Sequence, residues 1–108
     1  GDSNHTQLFS VNNQGVAVGM ATQFEASVAL WQEPIRWTAS EGIVRIQQLL
    51  PTDSPWVITD VRGINHEGKI VGTGRLSGGL PTAIRLDPIV TTPRLEVRQQ
   101  VLQKWLRN

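Results

Sequence analysis

The chain has 108 residues, and its ten Lys or Arg residues nearly balance its nine Asp or Glu residues. This length predicts a single domain over residues 1–108, and an apolar content of 39% is sufficient for one hydrophobic core. The absence of cysteine excludes disulfides and thiol chemistry, the net charge near +1 argues against nucleic-acid binding, and the lack of an apolar run of about 18 residues argues against membrane insertion.

A repeated segment begins near the N-terminus. The sequence VNNQGVAVG at residues 11–19 recurs 53 positions later as INHEGKIVG at residues 64–72. A type I turn favours Asn at its first position and Gly at its fourth, where φ is positive. Asn12 with Gly15, and Asn65 with Gly68, fit these positions, so each copy is predicted to form a β-hairpin.

Each copy continues into a third predicted strand. With one residue of slippage, ALWQEP at residues 29–34 aligns with AIRLDP at residues 83–88. Between the copies, residues 35–38 and 42–46 flank a short turn and predict a further hairpin. Repeat 1 therefore extends over about residues 6–50 and repeat 2 over about residues 56–88.

The last predicted element is a helix over about residues 93–107. Thr92 suits an N-cap, Pro93 suits the first helical position, and no further Gly or Pro follows. Apolar residues of this segment fall on one stripe at helical spacing: Leu95, Val101, Leu102, Trp105 and Leu106. The segment carries a charge of about +3 and the preceding β part about −2.

Together these elements predict a mostly β fold. We expect about eight strands in antiparallel hairpin and meander repeats, arranged as two units that resemble propeller blades, with one C-terminal α-helix. Two units are too few to close a propeller, which needs about four or more blades. Three alternatives follow: the chain belongs to a longer protein, several copies assemble as a homo-oligomer, or the helix covers the open end.

The repeat pattern is similar to a known family. Ile-Asn-x-x-Gly-x-Ile-Val-Gly at residues 64–72, followed by the strand at residues 83–88, resembles the HAF repeat family of bacterial extracellular proteins. The likeness covers roughly residues 8–88 and leaves the predicted helix outside it. The resemblance implies a propeller-like β-repeat protein that is secreted or located at the cell surface. It implies no catalytic residues.

Tryptophans are the candidate binding residues. Four Trp and no Tyr are unusual in a small β domain, and exposed indole rings bind sugar rings and protein partners. Trp31 aligns with Arg85 of the other copy, which indicates a face in contact with water, and Arg36 is adjacent to Trp37. Trp31, Arg36, Trp37 and Arg85 are therefore the candidate ligand-binding residues, with a core position as the alternative for either Trp.

The titratable residues do not predict an enzyme or a metal site. A zinc site needs three or four clustered ligands, which two isolated His residues without Cys do not supply. Asp60 is expected in mid-strand, where pairing with a basic neighbour is favoured over acid–base catalysis. His66 is expected in an exposed turn. We therefore expect no catalytic activity, no metal and no other cofactor.

The sequence favours a non-enzymatic interaction or scaffold module whose partner is a protein or a glycan. The alternative is a lectin-like carbohydrate-binding module that uses exposed Trp residues and is completed by oligomerisation. A hydrolase that uses Asp60 or His66 is the third hypothesis.

Overall fold

Eight strands form two antiparallel sheets. The computed structural model describes residues 2–26, 28–90 and 92–99. Sheet 1 contains, in order, β1 (Asp2–Val11), β2 (Ala17–Glu25), β3 (Val28–Thr38) and β4 (Gly42–Arg45). Sheet 2 contains, in order, β5 (Trp56–Ile64), β6 (Ile70–Leu76), β7 (Thr82–Pro88) and β8 (Leu95–Gln99). The prediction of a mostly β fold with two antiparallel units is confirmed.

The turns of the two repeated hairpins have the same structure. The Gly15 N–H donates to the Asn12 carbonyl at 3.2 Å, and the Gly68 N–H donates to the Asn65 carbonyl at 3.0 Å. Both glycines have positive φ, 79° and 83°. Each Asn Oδ1 also accepts two backbone N–H groups of its own turn, which explains the amide side chain at this position.

Both copies also contain a β-bulge at matching positions. The pairing of the first two strands shifts register at Phe9 in sheet 1 and at Arg62 in sheet 2. The residues next to these bulges on the second strand are Gly19 and Gly72. A Cβ at either glycine would overlap a backbone carbonyl oxygen of the facing strand. The bulge therefore explains why both copies of the repeat end in glycine.

The third strands correspond differently from the sequence alignment. Gly19 pairs with Ile35, and Gly72 pairs with Ile84. The third strand of repeat 2 therefore matches the end of β3, beginning at Ile35, and the predicted match of residues 83–88 with residues 29–34 is wrong. The β2–β3 hairpin is longer than the β6–β7 hairpin. Equivalent residues of the two third strands therefore lie at different distances from the repeated turn, and an alignment with a fixed offset does not match them.

The predicted C-terminal helix is wrong where it can be compared with the structure. Residues Leu95–Gln99 form strand β8, which pairs with β7. The rest of the predicted helix, residues 100–108, lies outside the described residues. Strand β8 lies beyond the predicted end of repeat 2 and completes sheet 2, so each sheet has four strands.

Local chemistry explains the error. The Thr92 hydroxyl accepts the Arg94 N–H at 3.1 Å, as a helix cap would, but it also donates to the Ile89 carbonyl at 3.1 Å. These bonds close a turn between β7 and β8. Leu95 and Val97 then alternate with charged residues, which is the pattern of a strand with one buried face.

The core lies between the two sheets. Helix α1 (Ile46–Leu49) follows β4 and precedes the segment 50–55 that leads to β5. It buries Ile46 and Leu49 in this core. The side chain of Gln47 donates to the Trp56 carbonyl at 2.8 Å and accepts the Ile58 N–H at 2.9 Å, which fixes the start of β5. The buried cluster contains Val18, Met20, Ile46, Leu49, Leu50, Ile58, Val61, Ile70, Ile84, Leu86 and Leu95.

Candidate interaction surface

The strand register assigns the residues of each sheet to two faces. The inner face of sheet 1 carries Val18 and Met20, which belong to the same buried cluster as the inner face of sheet 2. The outer face of sheet 1 and the outer face of sheet 2 lie on opposite sides of this sandwich. These two outer faces are the surfaces available for partners.

The outer face of sheet 1 exposes large apolar side chains around the buried Ile35, next to an ion pair between Arg45 and Glu33. Leu8, Val11, Trp37 and Ile43 retain 51%, 67%, 37% and 53% of their accessible surface. They share one face because the register pairs Leu8 with Gly19, Val11 with Ala17, and Trp37 with both Ala17 and Ile43. A depression of about 360 Å³ lies on this side, lined by Leu8, Phe9, Ser10, Val11, Ala17 and Trp37. We call Leu8, Val11, Trp37 and Ile43 the apolar face.

The same positions are buried in sheet 2. Leu8 pairs with Gly19 beside the bulge of sheet 1, as Val61 pairs with Gly72 beside the bulge of sheet 2, so Leu8 is equivalent to Val61. In the third strands, Trp37 lies two residues after the partner of Gly19, as Leu86 lies two residues after the partner of Gly72, so Trp37 is equivalent to Leu86. Val61 and Leu86 are fully buried against sheet 1. The apolar face is therefore the repeat's packing face without a sheet on it.

The outer face of sheet 2 is polar, and its charges are paired. Arg85 donates two hydrogen bonds to the Asp87 carboxylate, at 2.6 and 3.0 Å. These bonds, together with the negative charge of Asp87, raise the pKa of the Arg85 guanidinium above its ordinary value. Arg98 donates to Glu96 at 2.9 Å and lies 3.9 Å from Asp87. At the β7–β8 edge of this face two cations therefore balance two anions, and on β5 Asp60 binds Arg62 at 3.1 Å.

The structure separates the four predicted binding residues. Trp37 lies on the apolar face, whereas Arg36, its neighbour in the same strand, points to the opposite side and pairs with Glu41 at 3.3 Å. Arg85 lies on the other sheet. The backbone of Trp31 pairs with Gln23 in β2, and its side chain lies outside the described part of the structure. Of the three predicted residues whose side chains are described, Trp37 alone lies on the apolar face.

Two hydrogen bonds join the sheets at the turn end. The Asn12 Nδ2 donates to the Asn65 carbonyl at 2.9 Å, and the Ile64 N–H donates to the Ser10 hydroxyl oxygen at 3.2 Å. Asn12 thus has two functions, since its oxygen closes its own turn and its nitrogen binds the equivalent turn of the next repeat. These bonds fix the position of one repeat on the other.

Asp60 and His66, the two residues considered for catalysis, lie in strand β5 and in the β5–β6 turn. Asp60 accepts a hydrogen bond from Arg62 at 3.1 Å, and His66 lies in the exposed turn. Within residues 2–26, 28–90 and 92–99, no three His, Asp or Glu side chains come together as metal ligands would. No helix in these ranges has the length and apolar character that crossing a bilayer requires.

Comparison with protein-family models, with curated proteins and with solved structures found no match for this chain. The resemblance to the HAF repeat family therefore stays a prediction that these comparisons do not test.

The prediction missed most of the apolar face. Leu8, Val11 and Ile43 were not among its candidate residues, although they are the most exposed members. The repeat itself contained a signal: Val11 aligns with Ile64, a partly buried residue packed against the core, and both copies keep an apolar side chain at that position. An apolar side chain at the same position of both copies indicates a face that packs against another sheet. Whether that face is covered or exposed in each copy depends on how the two sheets pack.

Proposed function

We propose that this chain is a non-enzymatic β-repeat interaction module that binds another protein through the apolar face of sheet 1. The observation that carries the proposal is the exposure of four large apolar side chains on one face, whose equivalents in sheet 2 are buried in the core or packed against it. Contiguous exposed apolar patches on proteins usually mark interaction sites. A secreted or cell-surface location, as the resemblance to the HAF repeat family implies, is part of this proposal.

Trp37 is the central anchor in this proposal. Its ring lines the depression on the apolar face and still exposes more than a third of its surface. Half-exposed tryptophans surrounded by aliphatic side chains are frequent hot spots of protein interfaces, because they offer a large contact area with few rotatable bonds. Leu8 and Val11 line the same depression.

Site-specific photo-crosslinking tests this proposal. A benzophenone amino acid at Val11, in the apolar face, should form adducts with a protein among those secreted by the source cells. The same group at Val90, a more exposed residue in the β7–β8 turn, should not. Trp37→Glu should remove the Val11 adduct. Equal labelling at both positions, or no protein adduct at Val11, would contradict the proposal.

Carbohydrate binding is the second candidate, and the exposed Trp37 ring favours it, since sugar rings stack on indoles. The residues that line the depression are apolar except for Ser10, and the Ser10 hydroxyl oxygen accepts the Ile64 N–H of the other sheet. Sugar recognition also needs polar groups that fix ring orientation, so this candidate ranks second. A glycan array with the Trp37→Ala variant as control distinguishes it: glycan binding that depends on Trp37 would favour a lectin.

A further inference from the structure

The packing of sheet 1 on sheet 2 leaves one face of each sheet without a partner sheet. It joins the inner face of sheet 1 to the inner face of sheet 2. Because the sheets are copies of one repeat, the apolar face of sheet 1 is equivalent to the inner face of sheet 2. By the same correspondence, the outer face of sheet 2 is equivalent to the inner face of sheet 1.

We infer that a second copy of this chain docks head to tail, with its sheet 2 outer face against the apolar face of the first copy. This inference rests on the proposed function, because it names the protein that the apolar face binds. The arrangement repeats between molecules the contact that the chain already makes within itself. It is a heterologous contact, since two different surfaces meet.

The uncharged positions of the sheet 2 outer face suit this contact. Val71 occupies the position that Val18 holds on the inner face of sheet 1, and its side chain is partly exposed. Thr73 takes the position of Met20, and Gly63 takes the position of Ser10. These three positions are uncharged. Asp60, which pairs with Thr73 on the same face, binds Arg62 at 3.1 Å, so docking also covers this ion pair.

The charged positions do not prevent docking. Arg85 is the equivalent of Arg36, which lies at the edge of the contact between the two sheets and pairs there with Glu41. Arg85 carries its own counter-ion, Asp87, so docking would bury a neutral pair rather than an isolated charge. Desolvating that pair still has a cost. We therefore expect an association that depends on protein concentration, weaker than the internal contact.

Asn65 offers a specific bond for the contact. It is the equivalent of Asn12, whose Nδ2 donates to a backbone carbonyl of the adjacent sheet. The Asn65 side chain is exposed, and its Nδ2 has no acceptor among the described residues. In the docked pair this group reaches the Asn12 carbonyl of the second copy. That carbonyl accepts the Gly15 N–H and has a second lone pair.

A head-to-tail contact closes into a ring when the rotation between successive copies allows it, and otherwise forms an open filament. Two copies bring four sheets together and three copies bring six, and both numbers lie in the range of about four to eight blades that closes a propeller. A closed ring leaves no unpaired apolar face.

Analytical ultracentrifugation of three matched Val→Glu variants tests the inference. The unmodified chain should increase in average mass to that of a dimer or trimer between about 1 µM and about 1 mM. Val11→Glu, in the apolar face, and Val71→Glu, on the outer face of sheet 2, should each remain monomeric. Val90→Glu, in the β7–β8 turn, should associate like the unmodified chain. Circular dichroism establishes that each variant is folded.

Mixing the two monomeric variants gives the decisive measurement. In a head-to-tail contact, the intact apolar face of Val71→Glu can receive the intact sheet 2 face of Val11→Glu, so an equimolar mixture should form dimers. Asn65→Asp keeps the oxygen that closes the turn but loses the Nδ2 donor, and it should weaken association of the otherwise unmodified chain at least threefold.

Three results would overturn the inference: a monomer at all concentrations, a mixture that stays monomeric, or a Val71→Glu variant that associates normally. The last result would indicate a symmetric dimer through two apolar faces. If the chain stays monomeric but the photo-crosslinker at Val11 captures a different protein, this inference fails and the proposed function stands. If Val11 captures nothing, both fail.

Discussion

At the scale of single residues, the repeat is explained by backbone requirements. Asn12 and Asn65 are needed because one amide oxygen accepts two N–H groups of the turn. Gly19 and Gly72 are needed for a different reason, since at each bulge a backbone carbonyl occupies the space of a Cβ. These requirements are local, which is why the two hairpins could be predicted from the sequence, although the pattern does not reveal the bulges.

Substituting the bulge glycine should therefore destabilise the fold. We expect Gly72→Ala to lower the free energy of unfolding by about 1–3 kcal/mol, because the methyl group forces the two strands apart. Gly63→Ala in the adjacent strand is the matched control, since a Cβ there would have its nearest neighbour at 3.7 Å. Its effect should stay within about 0.5 kcal/mol. Urea denaturation measures both, and equal losses would contradict the role of the bulge.

At the scale of elements, the wrong predictions concern segments whose local sequence is compatible with two structures. Thr92-Pro93 fits the start of a helix, but the same hydroxyl chemistry closes a turn between two strands. The decision depends on the free edge of β7, which lies outside the Thr92-Pro93 segment itself and accepts Leu95–Gln99 as a partner. Likewise, the sequence alignment of the third strands matches the Glu-Pro pair at residues 33–34 with the Asp-Pro pair at residues 87–88. In the structure, the equivalent residues of these strands are those that pair with Gly19 and Gly72.

The assignment of β8 to the core has a direct consequence. Leu95 is fully buried in the cluster between the sheets, so Leu95→Ala should lower the free energy of unfolding by about 2–5 kcal/mol. Leu80→Ala, the same substitution at an exposed loop position, should change it by less than about 0.5 kcal/mol. Thermal unfolding followed by circular dichroism compares the two. A Leu95→Ala variant as stable as Leu80→Ala would show that β8 does not contribute to the core.

The candidate binding residues also divide at this scale. Neighbours in a strand point to opposite faces, so Arg36 and Trp37 could not both belong to one binding face. The sequence shows this alternation but not which face is covered. That depends on how sheet 2 packs, which no local pattern determines.

At the scale of the whole molecule, the two repeats share one core. Val18 and Met20 of sheet 1 lie in the same cluster as Val61 and Leu86 of sheet 2, and neither sheet has a separate buried cluster of this size among the described residues. We therefore expect the duplicated chain to unfold as one cooperative unit.

Unfolding should accordingly be simultaneous in both sheets. Variants that keep only Trp37, in sheet 1, or only Trp56, in sheet 2, with the remaining Trp residues changed to Phe, report on each sheet separately. We expect their fluorescence transitions in urea to have the same midpoint once each variant is referred to its own circular dichroism curve. A Trp37 transition at a lower urea concentration than the circular dichroism curve of the same variant would indicate that sheet 1 unfolds independently.

The hydrogen bond from Asn12 to the Asn65 carbonyl makes the two ends of each repeat unequal. At the turn end, this bond fixes the position of sheet 1 relative to sheet 2. Adding or deleting residues in either turn would therefore break the hydrogen bond between Asn12 and Asn65. At the opposite end, the β2–β3 hairpin is already longer than the β6–β7 hairpin, and both fit the same fold. Changes in length should therefore accumulate at the β6–β7 loop, where Ser77 and Leu80 are exposed. That loop is the position at which a peptide tag or a second domain can be inserted without separating the sheets.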